Sequence, residues 1–258
     1  MTSTDWDPDH YGRFGDVRLR PALDLLARIG GLPEGDVVDL GCGSGSVGAA
    51  LARRFPDRRR IGVDSSRAML AKAEATGAYD AVVEADIATW EPERPVALLY
   101  SNAALQWLGG HESLMPALAR RLAPGGILAV QMPRQNRAPS HRIWNDLVQD
   151  HFPGRAAQVA RPETVDPIEY HRILAPLGRL DLWETEYFQI LPAAETGHPV
   201  RHFTSSTFAR PILDRLDEGE RVMIEKLYDE AMTAAYPPAA DGTVLFPFRR
   251  MFFTLDIG

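Results

Sequence analysis

The feature that most constrains the fold is the stretch Val37 to Gly45, VVDLGCGSG, followed at once by the helical pattern VGAALARRF, which Pro56 closes. A short apolar run reads as a buried strand. The glycines at 41, 43 and 45 let the backbone turn tightly and approach a ligand, and the next helix offers that ligand its N-terminus. Glycine spacing leaves the ligand class open. Gly43, Gly45 and Gly48 satisfy G-x-G-x-x-G, and Asp64 stands 64 − 43 = 21 residues on, where a dinucleotide fold carries its ribose-binding acid.

The pattern repeats along the first 132 residues. After Pro21, Leu25, Leu26 and Ile29 share one helical face that Gly30-Gly31 stops. Ile61 to Val63 is a second strand, Ser65 and Ser66 can cap the helix RAMLAKAEA, and Ala81 to Val83 and Val96 to Tyr100 are further strands. A helix from Leu114 to Leu122, the turn APGG and a strand from Ile127 to Met132 complete the series. Such alternation calls for an α/β fold, a doubly wound and mostly parallel sheet covered on both faces. From Pro133 the chain changes character. Helices are expected around Ile143 to Val148 and Pro167 to Leu174, a strand over Leu180 to Ile190, a helical stretch over Val200 to Ala235 interrupted by Pro211, and an aromatic strand over Phe248 to Leu255. Residues 1–132 are thus read as an N-terminal segment and cofactor-binding core. Residues 133–258 are read as helical lid insertions plus the last two of seven strands, within the same structural domain.

Composition narrows the function. Acidic residues outnumber basic ones 35 to 28, a net charge of −7, which argues against broad nucleic-acid or anionic-membrane binding. The single cysteine, Cys42, excludes an internal disulfide and a cysteine-ligated zinc, and reads as a small filler among glycines. The polar start MTSTDWDPDH is no secretory signal and no apolar run approaches a membrane span, so a soluble, cytoplasmic protein without a metal site is expected. Of the 28 basic residues 26 are arginine, so arginine abundance by itself singles out no site.

Acids at successive strand exits separate the cofactor classes. Asp39 precedes the glycine turn, where its charge would oppose a pyrophosphate and welcome an amino group. The third strand runs into Glu84-Ala85-Asp86-Ile87, which brings a second carboxylate to the same edge, suited to an exocyclic amine, with the Ile87 amide suited to a ring nitrogen. This constellation resembles the class I S-adenosylmethionine (SAM)-dependent methyltransferases, which have a Rossmann-like fold. The resemblance implies that Gly41, Gly43 and Gly45 carry the methionine portion with Asp39, that Asp64 and the adjoining Ser65 meet the ribose, and that Asp86, Ile87 and Met69 surround the adenine. Tyr11 and Arg18 from the N-terminal segment, and Asn102 and Ala103 after the fourth strand, complete the cofactor set.

The fourth strand exits into SNAALQW. Enzymes that methylate amide nitrogens place Asn or Asp, then Pro-Pro and an aromatic, at this point; here two alanines stand instead, which disfavours a nitrogen acceptor. DWDPDHYGRF, RLRPALDLLARI, DLGCGSG, GVDSSRAML, VEADI, SNAALQWL, LAPGGILAVQMP, FARP and FRRMF occur in the order in which they occur in the trans-aconitate 2-methyltransferase family, which the chain is similar to over nearly its whole length. The chain departs from that family at Phe208-Ala209, where a glycine often precedes the late Leu-Arg-Pro. The resemblance implies SAM-dependent formation of a monomethyl ester on a small polycarboxylate. A carboxylate is already ionised at neutral pH, so no catalytic general base is expected. Positioning falls to Trp107, Arg210 and Arg250, with Tyr170 a further substrate contact; His141 and Arg134 read as structural. The alternatives are another small-molecule O- or C-methyltransferase, a SAM-binding regulator without catalysis, and an NAD(P)-dependent oxidoreductase.

Overall fold

The computed structural model describes residues 15–156 and 164–258, with side chains of the first helix described from position 19 onward. Strands β1 (Val37–Leu40), β2 (Arg60–Asp64), β3 (Ala81–Glu84), β4 (Val96–Asn102), β5 (Leu122–Pro133), β6 (Arg179–Leu191) and β7 (Val244–Asp256) form one seven-stranded sheet in the order β3-β2-β1-β4-β5-β7-β6. The first five pair in parallel, Val38 facing Ile61 on one side and Leu99 on the other. The Gly125 N–H donates to Gly258 O at 3.0 Å and the Arg134 N–H to Arg249 O at 2.9 Å, so β7 runs antiparallel to β5. The Trp183 ring stacks on Phe252 at 5.1 Å and Arg179 pairs with Asp256 at 2.8 Å, which sets β6 antiparallel to β7. This is the expected doubly wound, mostly parallel sheet. Its order reverses between β1 and β4, and open α/β sheets bind ligands beyond the carboxyl ends of the strands at such a point.

Helix α1 (Gly15–Ala27) carries Pro21 inside it, earlier than the expected start after that proline, and buries Leu25 and Leu26. Helix α2 (Gly48–Arg54) follows the glycine turn, and α3 (Arg67–Ala75) is capped by Ser66, whose Oγ accepts from the Met69 N–H at 3.3 Å. Helix α4 (His111–Ala119) begins and ends three residues earlier than expected, because Leu122 already pairs with Val96 as the start of β5. Cys42 packs on Leu70 and Ala73 beneath α3; burial, reinforced by the charges of Asp39 and Asp64, pushes its thiol pKa up, so it is an inert filler.

The described residues fall into two compact units. Residues 15–133, 164–185 and 251–258 form the first, which includes α6 (Pro167–Leu174). Its core joins Val38, Leu40, Leu99, Leu128 and Val130 to Met251 and Phe253 of β7. Residues 134–156 and 186–250 form the second, which contains α5 (Pro139–His151), α7 (Pro199–Ser205), α8 (Arg210–Leu213) and α9 (Glu218–Ala235) besides the outer ends of β6 and β7. Here Trp144 stacks on Tyr228 at 3.9 Å and donates to Thr204 Oγ1 at 3.0 Å, while the Tyr228 hydroxyl donates to Ser140 O at 2.7 Å. A reciprocal Asp217–Glu220 capping box starts α9. Among the described residues, no helix is long and apolar enough to cross a membrane, and no cluster of acids, histidines and cysteine is suited to a metal ion.

Candidate cofactor and acceptor sites

At the exit of β1 the chain takes positive φ at Gly41, Gly43 and Gly45 (75°, 55° and 82°), a conformation that L side chains rarely adopt. A Cβ on Gly41 would lie 2.2 Å from Ala104 Cβ, so the turn after β4 sits directly on this glycine. Gly43 faces open space, and its N–H donates to Asp64 Oδ2 at 2.9 Å. Gly48 has another explanation: its φ is ordinary, but a Cβ there would meet the Tyr79 ring at 2.8 Å. The last glycine of the G-x-G-x-x-G spacing therefore makes room for Tyr79.

Tyr79 also reaches Asp39. Its hydroxyl donates to Asp39 Oδ2 at 2.7 Å, and Asp39 is only 2% exposed. Burial, with the nearby charge of Asp64, raises the Asp39 pKa to about 7 although the Tyr79 hydrogen bond opposes the rise. A buried carboxylate beside the glycine turn suits a cationic amino group and repels a pyrophosphate. At the end of β2, Asp64 accepts from the Gly43 N–H through Oδ2 and from the Ser66 N–H through Oδ1 at 2.9 Å, which ties the glycine turn to the start of α3. Ser65 is exposed beside it, and Met69 is buried in the first turn of α3. Beyond β3, Asp86 is exposed and accepts from the Ala88 N–H, while the carbonyl of the buried Ile87 accepts from Arg121 Nη1 at 3.0 Å.

The β4 exit is strained. Ala103, with φ of 55°, is the only described non-glycine residue with positive φ. Its N–H donates to Gln131 O at 2.9 Å, and its carbonyl accepts from Gln106 Nε2 at 2.7 Å. Asn102 Oδ1 and Gln106 Oε1 are buried without a hydrogen-bond partner. The short turn Leu105–Trp107 follows, with Trp107 half-buried. His111 Nε2 bonds Leu105 O at 3.0 Å, a pure acceptor, so Nδ1 is left to accept from the Tyr170 hydroxyl. Tyr170 is fully buried, and its ring packs on Phe253. It sits in the core and braces this turn through His111.

Arg210 and Arg250 belong to the second unit. Arg250 is 3% exposed, with its guanidinium 4.7 Å over the Phe248 ring. His141 packs on Phe208 at 4.3 Å and on Phe248 at 5.9 Å; burial and then the Arg250 charge hold its pKa down to about 3, so it is neutral. The Phe208-Ala209-Arg210 segment and the terminal strand therefore meet at His141. Arg210 opens α8 with Nε 3.7 Å from Asp214 Oδ2, and the half-buried Arg134 pairs with β7 through its backbone. Tyr11 lies outside the described residues, and the Arg18 side chain is likewise not described. Tyr79, Gln106 and His111 were not singled out from the sequence. Tyr79 and Asp39 are forty residues apart, and no local spacing links them.

A doubly wound sheet whose first strand ends in a buried acid and a ligand-approaching glycine turn, with further acids at the ends of β2 and β3, defines a class I SAM-dependent methyltransferase, and SAM is its cofactor. Residues 37–126 match the family model described as a methyltransferase domain. The trans-aconitate 2-methyltransferase of Paracidovorax citrulli is 42% identical over 96% of both chains, and that of Methylobacterium nodulans 43% identical, again over 96% of both. The chain belongs to the trans-aconitate 2-methyltransferase family. The fold of the Bacillus subtilis YcgJ protein is alike at a TM-score of 0.56 and 16% identity, covering 91% of this chain and 97% of that one. These findings support the methyltransferase reading over the nicotinamide-dependent one.

Proposed function

We propose that this enzyme transfers the methyl group of SAM to a carboxylate of trans-aconitate and forms a monomethyl ester. The observation that carries the substrate is the 42% identity, over 96% of the chain, to a relative bearing that name. SAM supplies an electrophilic methyl on a sulfonium. In this reading Asp39 takes the ammonium of the methionine portion, Asp64 the ribose hydroxyls and Asp86 the adenine amine, with Ser65, Met69 and Ile87 beside them. The acceptor carboxylate is already ionised at pH 7, so the protein has no proton to remove. Its task is to orient the nucleophile and exclude water. Trp107 walls the acceptor, and Arg210 and Arg250 hold the non-reacting carboxylates. Among the described residues only Arg121 and Arg250 are buried arginines. Arg121 donates to Ile87 O, Ala88 O and Glu91, and Arg250 lies in the terminal FRRMF stretch with its guanidinium over the Phe248 ring. A small-molecule acceptor in the cytoplasm completes the reading.

The test incubates the enzyme with methyl-labelled SAM and a panel of di- and tricarboxylates. Base-labile label on trans-aconitate is expected; label on an amine or phenol instead would overturn the acceptor. Arg250→Ala and Arg210→Ala are expected to raise the acceptor KM by about tenfold or more while leaving the SAM KM within about twofold. Equal rises in both constants would refute the clamp.

A further inference from the structure

We propose that Gln106 is a cofactor-binding residue whose side-chain oxygen faces the sulfonium end of SAM and makes the site prefer SAM to its demethylated product, S-adenosylhomocysteine. The orientation of the amide follows from its partner: Ala103 O accepts hydrogen bonds and cannot donate, so the atom 2.7 Å from it is Nε2 and the opposite atom is the oxygen. That oxygen is buried on a side chain 4% exposed and has no partner. Buried acceptors are rarely left so, which points to a ligand. Its surroundings point the same way. Ala103 is held in a left-handed conformation, and Ala104 packs against Gly41, so the turn bearing Gln106 adjoins the glycine turn of β1. Asn102 Oδ1 is a second orphaned acceptor in the same five residues.

The chemistry of the ligand follows by elimination, and this step rests on the proposed transfer. At neutral pH a tricarboxylate offers no proton, and an amide oxygen repels it. The N–H and O–H donors of SAM are assigned to Asp39, Asp64 and Asp86. What remains electropositive is the sulfonium, whose adjacent C–H groups are polarised toward an oxygen acceptor. After methyl loss the sulfur is neutral, so an oxygen at this place distinguishes the two forms of the cofactor.

Dissociation constants of SAM and S-adenosylhomocysteine are to be measured by calorimetry for the wild type, Gln106→Met and Gln106→Glu. Gln106→Met removes the oxygen at similar volume and is expected to weaken SAM by about five- to tenfold with S-adenosylhomocysteine within about twofold. Gln106→Glu keeps an oxygen and adds negative charge, so its preference for SAM over the product should equal or exceed that of the wild type, even though the bond to Ala103 O is lost. If both ligands weaken together in both variants, Gln106 only braces the turn and the inference is overturned; unchanged constants overturn it too. A wild-type protein that binds neither ligand would instead sink the cofactor assignment itself.

Discussion

Asp39 meets opposing demands. Burial at the exit of β1 makes its ionised form costly, yet an ionised carboxylate is what an ammonium needs. Its folded pKa of about 7 lies above the unfolded value near 3.8, so the stability it contributes is full below about pH 4, falls as pH rises through about 7 and stays lost above that. Asp39→Asn keeps an acceptor for the Tyr79 hydroxyl and removes the charge. We expect its melting temperature at pH 8 to exceed the wild type's by several degrees, with the gain shrinking toward pH 4, while affinity for S-adenosylhomocysteine falls by roughly a hundredfold. Wild-type affinity for the same ligand should decline as pH drops below 7. A variant less stable than the wild type at pH 8 would show that the buried charge is better compensated than its surroundings indicate.

At the scale of elements, the glycine turn and the β4 exit are one packed assembly. Gly41→Ala combines strain at φ of 75° with a Cβ contact of 2.2 Å to Ala104. The left-handed conformation costs about 1–2 kcal/mol and overpacking typically about 1–3 kcal/mol more. Adding Ala104→Gly removes only the contact, so the double variant is expected to recover the second part; additive losses in urea midpoints would refute the packing argument. This coupling marks what the sequence could and could not disclose. Strand exits and the Ser66 cap were legible because periodicity and capping act within a few residues. The start of β5 at Leu122 was hidden because a Gly-Gly pair reads as a turn, whereas pairing with Val96 carries the strand through it. Gly48 completes the G-x-G-x-x-G spacing, but the Tyr79 ring that excludes a side chain there is thirty-one residues further on, beyond any local pattern. The pairing of Tyr170 with His111 was likewise out of reach, because fifty-nine residues separate the two.

For the whole molecule, charge opposes the proposed chemistry at long range and favours it locally. A protein of net charge −7 repels a tricarboxylate beyond the reach of a buried guanidinium. Salt screens the distant repulsion more than the buried contact, so kcat/KM for the acceptor is expected to rise by about twofold between about 10 and 150 mM NaCl before falling at higher salt. A monotonic fall from the lowest salt would mean that steering is attractive and that the arginines act from the surface. The order of the sheet carries a further consequence. Strand β6 stands at the edge and its sole sheet neighbour is β7, yet 52 residues separate Leu191 from Val244. On the ribosome β6 therefore emerges well before anything can pair with it, with Phe188 and Ile190 still exposed in the finished fold. The sheet closes only when β7 slides in beside β5, so this late arrival makes the interval of synthesis between the two strands the time when the nascent chain is most open to aggregation and most in need of a chaperone.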